Sequence, residues 1–295
     1  MTGPIAHVGP NLPMDLLRAT GRHAGAIAFD PDRSTPVADQ WMETKFAPWA
    51  KVILEGWAAG EYDELAQVLF SRADDSAQRL YYYVCELQRR GLVGGPEPLI
   101  LDIAKVPRAS SIDHTAHCVR QLTVRLEVDE DVLVTAIETC NAERSVAASA
   151  VGRPVCLLAG TPPPDGRLHA AIRQAGFVPV GRTLLETWNQ LGSPVDLTTG
   201  DACAALARQI HGDPQGPRSF ADPGAMLSGA LSATGATAVI LWQTEEDEAQ
   251  AWHLPAQRAA LSTAGVSALV MTRRDWLGRD AAAHEITAFL GGIKA

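Results

Sequence analysis

Leu65–Tyr83 reads LAQVLFSRADDSAQRLYYY, which is a buried strand, a short turn and the opening of a helix in one stretch. Ala66–Phe70 is short and mostly apolar, the composition of a parallel strand covered on both faces. Ser71, Arg72 and Ala73 make the turn. Asp74 and Asp75 stand where a helix starts; a carboxylate there accepts backbone N–H bonds and meets the positive end of the helix dipole. Ala77, Leu80, Tyr81, Val84 and Leu87 recur at helical spacing and give the helix one apolar face. Strand, turn and helix in this order predict one unit of an open α/β sheet, whose ligands bind in the loops at the carboxyl ends of the strands.

The same alternation extends in both directions. Residues 1–13 read as an irregular lead, Met14–Ala19 as a helix behind Pro13, and Ala24–Phe29 as the first buried strand. A helix is expected over Val37–Trp57, interrupted near Pro48. A strand follows at Pro98–Ile103, then helices over Ser110–Leu126 and from Asp129 to about Ala150. At Arg153 the pattern restarts, with strands at Pro154–Gly160, Phe177–Gly181, Ala238–Trp242 and Val266–Met271. Helices are expected up to Ala175 and over Gly200–Ile210, Ala225–Thr234 and Ala281–Leu290, with a long surface loop at Gly212–Pro223. This alternation predicts two doubly wound parallel-sheet domains, flavodoxin- or Rossmann-like with helices on both faces, over residues 1–150 and 151–295.

Composition narrows the classes. A length of 295 residues is long for one core. The net charge of −9, with both signs mixed along the chain, argues against a nucleic-acid partner, because phosphate binding needs a basic surface. No apolar run is long enough to span a bilayer, and MTGPIAHVGPNLP lacks a basic segment followed by an apolar core. A cytoplasmic protein without a membrane partner is expected. Five cysteines, none in a CxxC pair, do not read as a disulfide framework. Cys85, Cys118, Cys140 and Cys203 fall in expected helices and Cys156 in an expected strand, as small core residues do. His114, His117 and Cys118 form a His-x-x-His-Cys cluster that brings His114 and Cys118 onto one helix face, without the fourth ligand of a structural zinc.

Polar groups at strand ends are the ligand-binding candidates: Ser71, Arg72, Asp74 and Asp75, then Thr161 and Asp165, then Gln243, Thr244 and Glu245. Turn chemistry and helix capping account for any one of them singly. As a set they are expected to line a cleft between the domains. No Ser-His-Asp order, P-loop or GxGxxG fingerprint is present, so no catalytic residue is assigned.

Several segments in order resemble the subunits of 2-hydroxyacyl-CoA dehydratases and benzoyl-CoA reductases. They are LPMDLLRATG at Leu12–Gly21, Ala47-Pro48-Trp49, FSRADDSAQRLYYY at Phe70–Tyr83, Asn141 with Arg144, Leu157–Asp165, Gly176-Phe177-Val178 and Ala288-Phe289-Leu290. The resemblance implies two α/β domains, an acyl-CoA substrate and work as two homologous subunits with an ATP-driven activator that delivers an electron. It also implies a cubane iron–sulfur cluster held by cysteines from three loops of the first domain. Those positions here are Gly9, Ala47 and Asp74, and the cysteine after the penultimate strand is replaced within QTEEDE at Gln243–Glu248. Such clusters need thiolates, so the cluster is expected to be lost and no metal is assigned.

Three readings stay open. The chain is a non-catalytic or acyl-CoA-binding subunit paired with a cysteine-bearing homologue, as a homo- or heterodimer. It is instead a cluster-independent enzyme on an acyl-CoA thioester, a lyase or reductase. Or it is an active cluster-bearing dehydratase whose cysteines align differently. Trp41, Trp49, Trp57 and Trp252 are the aromatics to inspect for a docking face, with core packing as the competing role.

Overall fold

The computed structural model describes residues 3–145, 153–214 and 220–293. Their elements divide into two units, Met1–Ala147 with Trp188–Phe220, and Ala148–Thr187 with Ala221–Ala295. The junction expected near residue 151 lies outside the described residues. The return of Trp188–Phe220 to the first unit was not foreseen. Its physical reason is burial: Val195, Ala202, Ala205, Leu206 and Ile210 complete the first unit's core.

The first unit contains β1 (Ile5–Val8), α1 (Met14–Ala19), β2 (His23–Ala26), α2 (Ala38–Trp41), α3 (Pro48–Ala58), β3 (Gln67–Ser71), α4 (Asp75–Arg89), β4 (Glu97–Leu101), α5 (Ala109–Arg125) and α6 (Glu130–Arg144). The chain then forms β5 (Val155–Gly160), α7 (Arg167–Gln174), β6 (Val178–Val180), α8 (Leu184–Trp188) and α9 (Ala202–Gly212). It ends with α10 (Pro223–Thr234), β7 (Ala238–Thr244), α11 (Gln250–Ala264), β8 (Ser267–Arg274) and α12 (Ala282–Gly291). Among the described residues all strand pairs are parallel, in two four-stranded sheets of order β2-β1-β3-β4 and β6-β5-β7-β8. The doubly wound α/β fold expected from the sequence is therefore present, and both sheets share one strand order.

The stretch 65–83 folds as its pattern dictates. β3 is buried throughout, and its alternate residues serve opposite faces. Leu69 joins a core with Leu17 of α1, Val119 of α5, Ile137 of α6 and Leu206 of α9. Phe70 faces the other way, with its ring 6.2 Å from that of Trp57 on α3 and 5.9 Å from that of Tyr81 on α4. The second sheet is divided just as sharply. Cys156, Leu158, Ala238, Ile240 and Trp242 meet α7 and α12, whereas Leu157, Val239 and Leu241 meet α10 and α11.

Four expectations need correction. The lead at residues 1–13 contains β1, a buried strand in the middle of the first sheet, paired with β2 and β3. It escapes a hydrophobicity reading because it has four residues and one is His7. The strand placed first, at Ala24–Phe29, is β2 and runs along a sheet edge with its residues half-buried or exposed. β7 continues past Trp242 to Thr244, so Gln243 and Thr244 are buried strand residues rather than loop residues. No element was assigned between the last two strands, where α11 now stands with Pro255 inside it. Among the described residues, no helix is long and apolar enough to cross a membrane.

Candidate functional site

In a doubly wound sheet the crevice opens where the strand order reverses, outside the carboxyl ends of the strands. That point lies between β1 and β3 in the first unit and between β5 and β7 in the second. The strand-end candidates are thereby split into two groups. Ser71, Arg72, Asp74 and Asp75 belong to the first point; Thr161, Gln243, Thr244 and Glu245 belong to the second, with Asp165 ahead of α7.

The second group is engaged with itself. Gly160, at φ +102°, ends β5 against β7 so closely that a Cβ there would lie 2.0 Å from the Trp242 carbonyl oxygen. Thr161 donates its N–H to the same oxygen at 2.8 Å and its hydroxyl to Asp247 Oδ2 at 2.9 Å. Burial pushes the Asp247 carboxyl above its usual range. The Gln243 side-chain amide donates to the Gln250 carbonyl at 3.2 Å and to Gln257 Oε1 at 3.3 Å. Asp165 forks onto Arg167 at 2.7–3.0 Å. Glu245 is exposed and pairs with Arg273 at 3.0 Å. These bonds fasten loops to strands, which is the turn and capping role.

In the first group, Ser71 and Asp74 also act on the backbone. Ser71 is fully buried as the last residue of β3, and its hydroxyl accepts the Ala73 N–H at 3.1 Å. Asp74 caps α4 by accepting the Ala77 N–H at 2.8 Å, and Asp75 is an exposed first-turn acid. Arg72 is different. Its guanidinium meets Asp102, just beyond β4, and the same Asp102 oxygen lies 3.1 Å from His114 Nε2 on α5. Cys118, one helical turn on, has its sulfur 3.6 Å from that nitrogen. Four side chains from two strand ends and one helix therefore meet at an end that solvent reaches, with Arg72 41% and His114 46% exposed.

The chemistry of this cluster follows from which nitrogen is used. Asp102 accepts only, so its approach to Nε2 places the His114 proton there. That nitrogen then has no lone pair for the Cys118 proton. Burial raises the Cys118 thiol above its ordinary value, and the neighbouring Asp102 charge adds to the effect. Cys118 is thus a neutral thiol rather than an activated nucleophile. Arg72 has the recognition chemistry. The pair is only partly buried and is worth on the order of 1 kcal/mol, so a phosphate or carboxylate can compete with Asp102 for the guanidinium and bind it bidentately.

The three positions where the resembled family holds its cluster are also in the first unit. Gly9, at φ +94°, presses on β3 and α4; a Cβ would lie 2.9 Å from that of Ser71 and 3.2 Å from that of Ala77. Ala47 offers no donor as the residue ahead of α3, and the Asp74 carboxylate is spent on its cap. These residues do not fit a cubane cluster. Among the described residues, no group of three or more His, Cys, Asp and Glu is arranged to hold a metal ion. The five cysteines stand in α4, α5, α6, β5 and α9.

Sequence reading missed Asp102 and Lys105, although the strand-end rule applied to β4 points to both. Lys105 is buried and donates to the Ile210 and Asp213 carbonyls at 2.7 and 2.8 Å, closing the carboxyl end of α9. Trp49 and Trp57 are core residues, Trp41 is half-buried, and Trp252 is 87% exposed. Two shallow hollows among the described residues, of about 290 and 220 Å³, share Arg22 and lie at the amino ends of the strands. They hold none of the strand-end candidates, and open sheets bind ligands at the opposite end, so the Arg72 cluster is the stronger candidate. The sequence matches no family model and no curated protein.

Proposed function

We propose that this chain is a dehydratase-like subunit without an iron–sulfur cluster, which acts in the cytoplasm, binds the anionic part of an acyl-CoA at Arg72 and supports a homologous partner subunit. The observation that carries the reading is the contrast inside the first unit. Where the resembled family has cysteines, Gly9 has no room for a side chain and Asp74 is a helix cap, while Arg72 remains reachable at a strand end. The neutral Cys118 weighs against a thiol-based cluster-independent enzyme, since His114 beside it does not serve as its base.

The reading has direct tests. Protein purified without oxygen is colourless and carries no stoichiometric iron; several irons per chain, lost when a cysteine is replaced, would show that the cysteines serve a cluster after all. An acyl-CoA panel raises the melting temperature, with about 2.7 kcal/mol of stabilisation at a hundredfold excess over Kd. Arg72→Ala weakens that binding by about tenfold or more, the order of one charge-assisted contact. Absence of any shift at millimolar acyl-CoA removes the ligand, and unchanged affinity in Arg72→Ala removes the contact. Sedimentation of the chain alone and with a co-expressed cysteine-bearing homologue tests the partner; a strict monomer in both removes it.

A further inference from the structure

His7 is fully buried in the middle of the first sheet, and its ring faces that of His23 on β2 with centroids 5.1 Å apart. His7 Nε2 lies 3.2 Å from the Trp188 carbonyl, and Nδ1 lies 3.0 Å from His23 Nε2. A carbonyl only accepts, so His7 carries its proton on Nε2, and its bare Nδ1 takes the N–H of His23. The pair thus joins β1 and β2 to Trp188, the residue at which the chain returns to the first unit. The neighbouring Asn189 repeats the link, accepting the Ala26 N–H at 3.1 Å.

We propose that His7 and His23 form an acid-sensitive latch that holds the returning chain at Trp188 while the pair is neutral and releases it when the pair takes up protons. A first proton goes to Nδ1 of His23, since the N–H of His23 already fills the gap between the facing nitrogens. A second sets N–H against N–H and two cationic rings in contact, away from water. Among the described residues the charged group that bears on the pair is Arg18 of α1, a cation beside His23, which is itself bonded to Glu143 of α6 at 2.6 Å. The Trp188 and Gly25 carbonyls favour the charged form of His7, but burial outweighs them. The result holds His7 down to about 3 and His23 to about 4, each from 6.5. An opened state restores both rings to water and to their ordinary affinity for protons. The latched state is therefore fully favoured above pH 6.5 and loses ground as pH falls below it, by up to about tenfold in the open population per pH unit for each histidine. Release is local, because α9 further along is held by its own core contacts and by Lys105.

Hydrogen exchange of the full chain between pH 7 and 4.5, corrected for intrinsic rates, tests the latch. Amides at Trp188–Leu191 should lose protection as pH falls, ahead of those in α9. His23→Gln should at least halve the pH slope of that loss, and His7→Gln should do the same. If His7→Gln fails to fold, the half-buried His23 position carries the test. Protection at Trp188–Leu191 that is independent of pH, that falls only together with α9, or that keeps its full acid dependence in His23→Gln overturns the proposal.

Discussion

Gly160→Ala should destabilise the second unit by about 3–5 kcal/mol, a large fraction of the stability of an ordinary folded protein. Two costs add. The backbone at φ +102° is one that L side chains rarely adopt, which accounts for about 1–3 kcal/mol. The new Cβ would also lie 2.0 Å from the Trp242 carbonyl oxygen, so β5 and β7 must separate where Thr161 N–H bonds that oxygen at 2.8 Å. Gly176→Ala separates the terms, since Gly176 stands at φ +91° with open space around its Cβ position. It should cost about 1–2 kcal/mol, the strain alone. Denaturant melts of the two variants decide the matter. Equal losses would mean that the close approach of β5 to Trp242 does not constrain the fold.

The contrast between these glycines illustrates what was legible in the chain. The fold was, because buried parallel strands are continuous apolar runs and ValIleLeuTrp at 239–242 can be little else. β1 was not, because a four-residue central strand that includes a histidine carries too little hydrophobic signal, and its burial is decided by partners far along the chain. The capping role of Asp74 was legible because capping is local, a bond between residues three apart. The Arg72 cluster was half legible: Arg72, His114 and Cys118 stood out by residue type, but Asp102 joins them only through the pairing of β3 with β4. The role of Gln243 was misread because one more turn of strand pleat decides between a loop and a core position.

Asp15→Ala and Arg144→Met should each cost about 3–5 kcal/mol, while the double change to Asp15→Leu with Arg144→Met should recover most of that loss. The two guanidinium nitrogens Nη1 and Nη2 donate to the two carboxylate oxygens at 2.8 Å each, with side chains 3% and 1% exposed. Removing either partner leaves a buried charge without its counterpart, whereas removing both exchanges the pair for apolar packing between α1 and α6. The same arginine donates to the Leu191 carbonyl at 2.8 Å and to Asn141 Oδ1 at 2.9 Å, and Asn141 holds Val195 through both its main-chain groups at 2.9 Å. α1, α6 and the returning segment are thus tied at one point. That point joins LPMDLLRATG to Asn141 and Arg144, two of the segments that carry the resemblance to acyl-CoA enzymes. Their placement gives them a structural task, so the double variant, once folded, should keep any acyl-CoA affinity that Arg72 supplies. Chemical denaturation of the three variants, followed by the acyl-CoA thermal shift on the double, checks both parts. Single losses below about 1 kcal/mol would contradict the burial of the pair, and a stable double variant that had lost acyl-CoA binding would place this pair in the binding machinery instead.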